Sequence, residues 1–105
     1  MQLVDLAAAR RFAPAKMQKV GLFETDRLFC DLYCFEPGQE QTAHTHPGSD
    51  KVYVVLEGQA RIRVGGAEER LAPMQATLAP AGAEHAVTND GPDRLVLLVF
   101  VAPRP

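Results

Sequence analysis

The sequence predicts an all-β fold in a single domain, and three observations carry that prediction. The 105 residues contain at least seven short apolar runs separated by turn-forming residues, the pattern of a sandwich or barrel. No stretch sustains a 3.6-residue apolar periodicity over the length of a packed helix. The composition, 47% hydrophobic and 23% charged, is that of a core-forming globular chain and sets aside the disordered, collagen-like and membrane-spanning classes. A chain of this length has room for one core. Its formal charge of −2 argues against nucleic acid as a partner.

The elements follow in order. Residues 1–16 form an N-terminal segment with a short helical turn over Leu3 to Phe12, and residues 17–105 form the β domain. Asp5 interrupts the apolar N-terminal stretch and Arg10 and Arg11 follow it, so it does not read as a secretory signal and the expected location is cytoplasmic. Met17 to Glu24 and Arg27 to Glu36 flank a tight turn at Thr25 and Asp26. Cys30 and Cys34 share one face of that second strand with Leu28 and Leu32. Four residues of strand span ~13 Å, beyond the ~7 Å reach of a disulfide, so both are read as buried thiols. Phe29, Tyr33 and Phe35 share the other face and are read as core or interface residues.

Lys51 to Leu56 is a β-branched and aromatic strand ending near Gly58. Ala60 to Val64 alternates strictly, with Arg61 and Arg63 outward. Gly65 and Gly66 supply a two-residue hairpin turn before Glu68 to Leu71. Gln75 to Ala79 and His85 to Thr88 are two further strands, separated by a turn through Pro80 and Gly82. Asn89 to Asp93 is another turn, with Asn89 a turn former, and Arg94 to Ala102 is the last strand. That strand is apolar on both faces. An outer barrel face alternates with polar residues, so a second layer is expected, and the predicted assembly is a homodimer.

All three histidines of the chain fall in two places: His44 and His46, then His85. The first two alternate on an extended segment and point to one face. Three imidazoles converging inside a barrel would suit Zn, Fe, Mn, Ni or Cu. The segment from Gly38 to Gly58, with His44, His46 and a carboxylate nearby, resembles the first conserved motif of the cupins. Pro80, Gly82, His85 and Asn89 are spaced like the second. The two motifs and the hairpin between them cover about half of the chain. The resemblance implies a single-domain cupin jelly-roll β-barrel with a short N-terminal helical segment, and a metal held by His44, His46 and His85.

Two positions depart from the motifs. Met74 stands where the second motif opens on glycine. Lys51 stands where the first motif carries a glutamate ligand, with Asp50 one residue away. Three readings follow. Asp50 turns inward through a bulge and completes the metal set. Alternatively, the three histidines hold the metal alone and leave positions open. In the third reading no divalent metal binds, and Lys51 acts in the pocket as a charge or acid/base group. An ammonium ~5 Å from a divalent ion is opposed by about 7 kcal/mol at an effective dielectric of ~20. Lys51 therefore swings outward, loses its proton more readily, or shares an anionic ligand with the metal. Strand parity puts Tyr53 and Val55 on its face, making Lys51 and Tyr53 the candidate catalytic groups, while the alternative sends the ammonium to water from the barrel rim. Glu84 points away from His85 and is read as surface.

The resemblance implies a small metalloenzyme that oxygenates, isomerises or cyclises a small organic molecule, as compact cupins of secondary metabolism such as polyketide synthesis do. The competing classes are a non-catalytic module that binds or senses a small ligand or sugar, and a structural protein that has lost the activity, with Lys51 the mark of decay. The retained three histidines argue against full decay. None of these classes calls on nucleic acid or a membrane. No phosphate-binding glycine loop, nucleophile elbow or paired Cys motif is present.

Overall fold

Strand-forming residues dominate the computed structural model, which describes residues 1–105. The elements are α1 (Leu6–Ala9), β1 (Gln18–Glu24), β2 (Phe29–Phe35), β3 (Glu40–His44), β4 (Asp50–Glu57), β5 (Ala60–Val64), β6 (Ala67–Leu71), β7 (Ala76–Ala79), β8 (His85–Thr88) and β9 (Leu95–Ala102). They form two antiparallel sheets, one in the order β1-β2-β9-β4-β7 and the other β3-β8-β5-β6. No helix is long and apolar enough to cross a membrane.

The inner faces meet in one core. Tyr33, Phe35, Tyr53, Val55, Leu97 and Val99 come from the larger sheet, and Ala60, Ile62, Leu71 and Val87 from the smaller. The alternation read in β5 is realised, with Ala60 and Ile62 buried and Arg61 and Arg63 exposed. On the solvent side of the smaller sheet those arginines pair with Glu68, Glu84 and Asp90, so that face needs no cover.

The larger sheet has a different outer face. Leu32, Cys34 and Val96 are buried there beneath Leu6, Ala9 and Phe12 of the N-terminal segment. That segment is tied down by Arg10, whose guanidinium donates to both carboxylate oxygens of Glu57 at 2.7 and 3.0 Å. The cover stops short of Phe100 and Leu78, which are 38% and 52% exposed. Both cysteines are free and buried, and burial raises their thiol pKa values first of all, keeping them protonated.

Several boundaries move from the sequence reading. The helical turn spans four residues, not ten. Asp5 caps it by accepting from the N–H groups of Ala7 and Ala8, but Arg10 is already extended, and one turn cannot propagate without tertiary support. The first hairpin turn takes four residues, because Thr25 Oγ1 accepts from both Arg27 and Leu28 N–H. Leu28 consequently lies outside β2 and is exposed. The hairpin at Gly65 and Gly66 appears as read. Gly58 is irreplaceable on steric grounds: at φ +77° a Cβ would lie 2.3 Å from the carbonyl oxygen of Arg94. Met74 keeps a left-handed φ of 71° without being glycine, and its N–H donates to Val55 O at 2.8 Å.

Candidate metal centre

β3 and β8 bring two imidazoles together by register. His44 is the last residue of β3, His85 the first of β8, and the two are paired across the ladder. A register shift between Gln41 and His44 re-aims the end of β3. His46 follows in the loop, its ring centroid 4.9 Å from that of His44 and 5.6 Å from that of His85. One donor atom from each of the three lies within 4.8 Å of the others.

Tautomers follow from the hydrogen bonds. His44 Nδ1–H donates to Thr42 O and His85 Nδ1–H to Ala83 O, both at 3.0 Å, since a carbonyl oxygen only accepts. Each Nε2 therefore carries a lone pair, and the two Nε2 atoms face each other at 3.0 Å. Opposed lone pairs at that separation repel, and a shared proton or a metal ion between them relieves the repulsion. Outer N–H bonds to carbonyls also fix ring orientation, as in histidine metal sites generally. Burial is the main cause that lowers the pKa of all three histidines, that of His85 to about 4. They are neutral at physiological pH, the state in which imidazole ligates. The residues fit a divalent transition metal.

The opposite wall, from β2 and β4, carries Lys51, Tyr33 and the carboxylate of Asp31. Lys51 on β4 is 2% exposed, and its Nζ lies 5.0 Å from the Tyr33 ring centroid and 5.2 Å from that of Tyr53. Burial, then the nearby Lys19 charge, pulls its pKa down to about 7. Tyr53 Oη–H donates to Gln41 Oε1 at 2.9 Å, and Gln41 Nε2 donates to Tyr33 Oη at 3.2 Å. Burial raises both phenols, Tyr33 to about 12. His44, His46 and Lys51 border one cavity of about 420 Å³, which also takes in Lys19, Asp31, Tyr33 and Gln41, while His85 and Tyr53 lie behind its lining.

The sequence pattern of the cupin domain matches residues 31–101. The chain belongs to the cupin family. It is 40% identical over 72 residues to the tetracenomycin polyketide synthase protein TcmJ of Streptomyces glaucescens, covering 66% of this chain and 48% of that protein. The chain thus spans about half the length of that curated relative. Among solved structures, the TT1209 protein of Thermus thermophilus is 48% identical, with a TM-score of 0.97 over 100% of both chains. A double-stranded β-helix protein of Klebsiella pneumoniae has a TM-score of 0.90 at 24% identity, over 98% of this chain and 90% of its own. The latter likeness concerns the fold alone.

Within this cupin, His44, His46 and His85 come together, and Asp50 does not join them. Asp50 is exposed, and its Oδ1 accepts from Ala81 N–H at 2.8 Å. It pins the turn between β7 and β8. No bulge reverses strand parity there, because β4 pairs with β7 and β9 in unbroken register through Asp50 to Val54. The same parity carries Lys51 and Tyr53 inward, so the lysine lies inside the barrel and not at its rim. Glu84 is on the surface, beside Arg63 at 3.5 Å. Asn89 is a buried turn former, its Nδ2 donating to Asp93 O at 2.9 Å and its Oδ1 accepting from Gly91 N–H at 3.2 Å.

Gln41, Asp31 and Lys19 belong to the cavity and were not singled out from sequence. A signal existed for Gln41, which lies inside the first cupin motif three residues before His44. Asp31 and Lys19 are placed by the β1-β2-β9 strand order, which no local pattern encodes.

Proposed function

We propose that this cupin is a metalloenzyme acting on a small, polyketide-like organic molecule. His44, His46 and His85 hold one divalent transition metal and leave the cavity side open to the substrate. The observation that carries this reading is the pair of Nε2 lone pairs facing each other beside His46. Similarity to a polyketide synthase protein supports the substrate class. When bound, such an ion supplies Lewis-acid polarisation of a carbonyl or enol, or a redox centre for oxygen chemistry.

Lys51 is the acid/base group of this site. An amine with a pKa of about 7 exchanges protons readily in either direction at neutral pH. That property favours isomerisation or cyclisation, which move protons, over oxygenation. Tyr53 acts through Gln41 and holds Tyr33 in place. The second reading, a ligand-binding cupin without turnover, is favoured by the ammonium standing where a carboxylate ligand is usual. We further propose a cytoplasmic homodimer, joined over Phe100 and Leu78 where the N-terminal cover ends.

Polyketide-like and oxo-acid compounds screened with each of Zn, Fe, Mn, Ni and Cu separate the two readings. A metalloenzyme consumes one of them only with metal, and His44→Ala abolishes the reaction. Tight binding without metal-dependent turnover supports the binding module. Light scattering over a dilution series tests the dimer, and a monomer throughout refutes it.

A further inference from the structure

We propose that the cavity selects an organic acid, whose carboxylate or enolate oxygen sits among the Lys51 ammonium, the Lys19 ammonium and the Tyr33 hydroxyl. This rests on the cavity being the substrate site, and it specifies the charge of the substrate.

Three observations converge on one spot. First, both lysines face a single ring, with Lys19 Nζ 5.2 Å and Lys51 Nζ 5.0 Å from the Tyr33 centroid. Like charges are normally kept apart or interleaved with acids. Elsewhere on this chain Arg10, Arg61, Arg63, Arg70, Arg94 and Arg104 each have a carboxylate partner, and Arg11, Lys16 and Arg27, which have none, are exposed to water and lie outside this cavity. Lys19 and Lys51 have none within 4 Å. Asp31 is the single carboxylate bordering the cavity, and it feels both lysines without contacting either.

Second, the tyrosine relay has a direction. Tyr53 Oη–H donates to Gln41 Oε1, which fixes the amide so that Gln41 Nε2 donates to Tyr33 Oη. Tyr33 is thereby an acceptor in the relay, and no acceptor of the chain takes its own proton. A 2%-exposed phenol that borders the cavity and has no acceptor for its proton can donate to an incoming oxygen.

Third, the imidazole end offers only lone pairs or, once loaded, a divalent cation. Two lysines and that cation outweigh Asp31, so the occupied cavity is strongly positive. A ligand with an anionic oxygen lowers that charge, while a neutral isostere leaves the buried Lys51 unpaired.

The test is titration calorimetry with benzoate, 2-hydroxybenzoate and acetoacetate, each against its methyl ester, on metal-free and zinc-loaded protein. At least one acid is expected to bind about tenfold or more tightly than its ester, the discrimination typical of a charge-assisted hydrogen bond. Lys51→Gln removes most of that preference and Lys51→Arg retains it. The exposed Lys19→Gln and the near-isosteric Tyr33→Phe each reduce it, which covers the case of a Lys51 variant that fails to fold. The preference is expected in metal-free protein too, so a failed metal site and a failed anion site give different results. If no acid outbinds its ester, absence of binding included, or if the preference survives Lys51→Gln, the proposal is overturned.

Discussion

On the wall built from β3, the loop after it and β8, three neutral imidazoles turn toward one point, whereas the wall built from β2 and β4 carries the Lys51 amine and the Tyr33 hydroxyl, with Asp31 as its one carboxylate. The first wall is specified by register: His44 stands opposite His85 because the ladder pairs them. The second is specified by parity: Lys51 and Tyr53 point inward because Asp50 points out. One wall attracts a cation and the other supplies one. The difference is that an amine, Lys51, and no carboxylate of β4 faces the imidazoles.

Reversing the charge of the second wall should have the largest effect. Lys51→Glu removes an ammonium and adds a carboxylate toward the imidazoles, and it is expected to raise metal affinity about 10- to 100-fold. Competition with a chelator measures this, and unchanged affinity would mean that Lys51 never faces the metal.

Neutralising the lysine sharpens the comparison next. Lys51→Met replaces a buried amine by an apolar chain of similar length and should raise the Tm of metal-free protein by several degrees at pH 7. The folded amine releases its proton near pH 7 and the unfolded one near 10.5. Between those values the unfolded state holds more protons, so wild-type stability rises with pH. The advantage of Lys51→Met is therefore greatest below pH 7 and fades toward 10.5.

The imidazole wall should respond at lower pH. His85 is neutral in the fold down to about pH 4, against an ordinary value of 6.5. Its contribution is fully present above 6.5 and is lost as pH falls toward 4, because the unfolded chain takes up the proton first. Metal-free protein should lose stability across that window, and His85→Gln should flatten the loss. Denaturant titrations at several pH values check it.

The smallest effect lies away from both walls. Met74→Gly relieves a left-handed φ of 71° but loosens the unfolded chain, so the net gain is at most about 1 kcal/mol. Tm by calorimetry reads it, and a loss of stability would show that the strain at Met74 is smaller than the entropy cost of glycine.

How much of this was legible in the sequence differs between the walls. The strands from Lys51 onward showed themselves by alternation, and the convergence of His44, His46 and His85 followed from spacing and family resemblance. β3 did not show itself, because Glu40 to Ala43 carry no apolar alternation and take their extended form from pairing with β8. With β3 unread, Gln41 had no parity, and the relay from Tyr53 to Tyr33 stayed hidden. Tyr33 read as core, which its burial bears out, but its hydroxyl acts at the edge of that core. Asp50 looked like a ligand because its competing partner, the Ala81 N–H, lies across a turn and leaves no mark in local sequence.

Elemental analysis of tag-free protein offered each transition metal in turn measures the three-imidazole site most directly. The expected result is about one equivalent of metal per chain for wild type, and none for His85→Ala. Less than about a tenth of an equivalent of every metal would contradict a metal site at His44, His46 and His85.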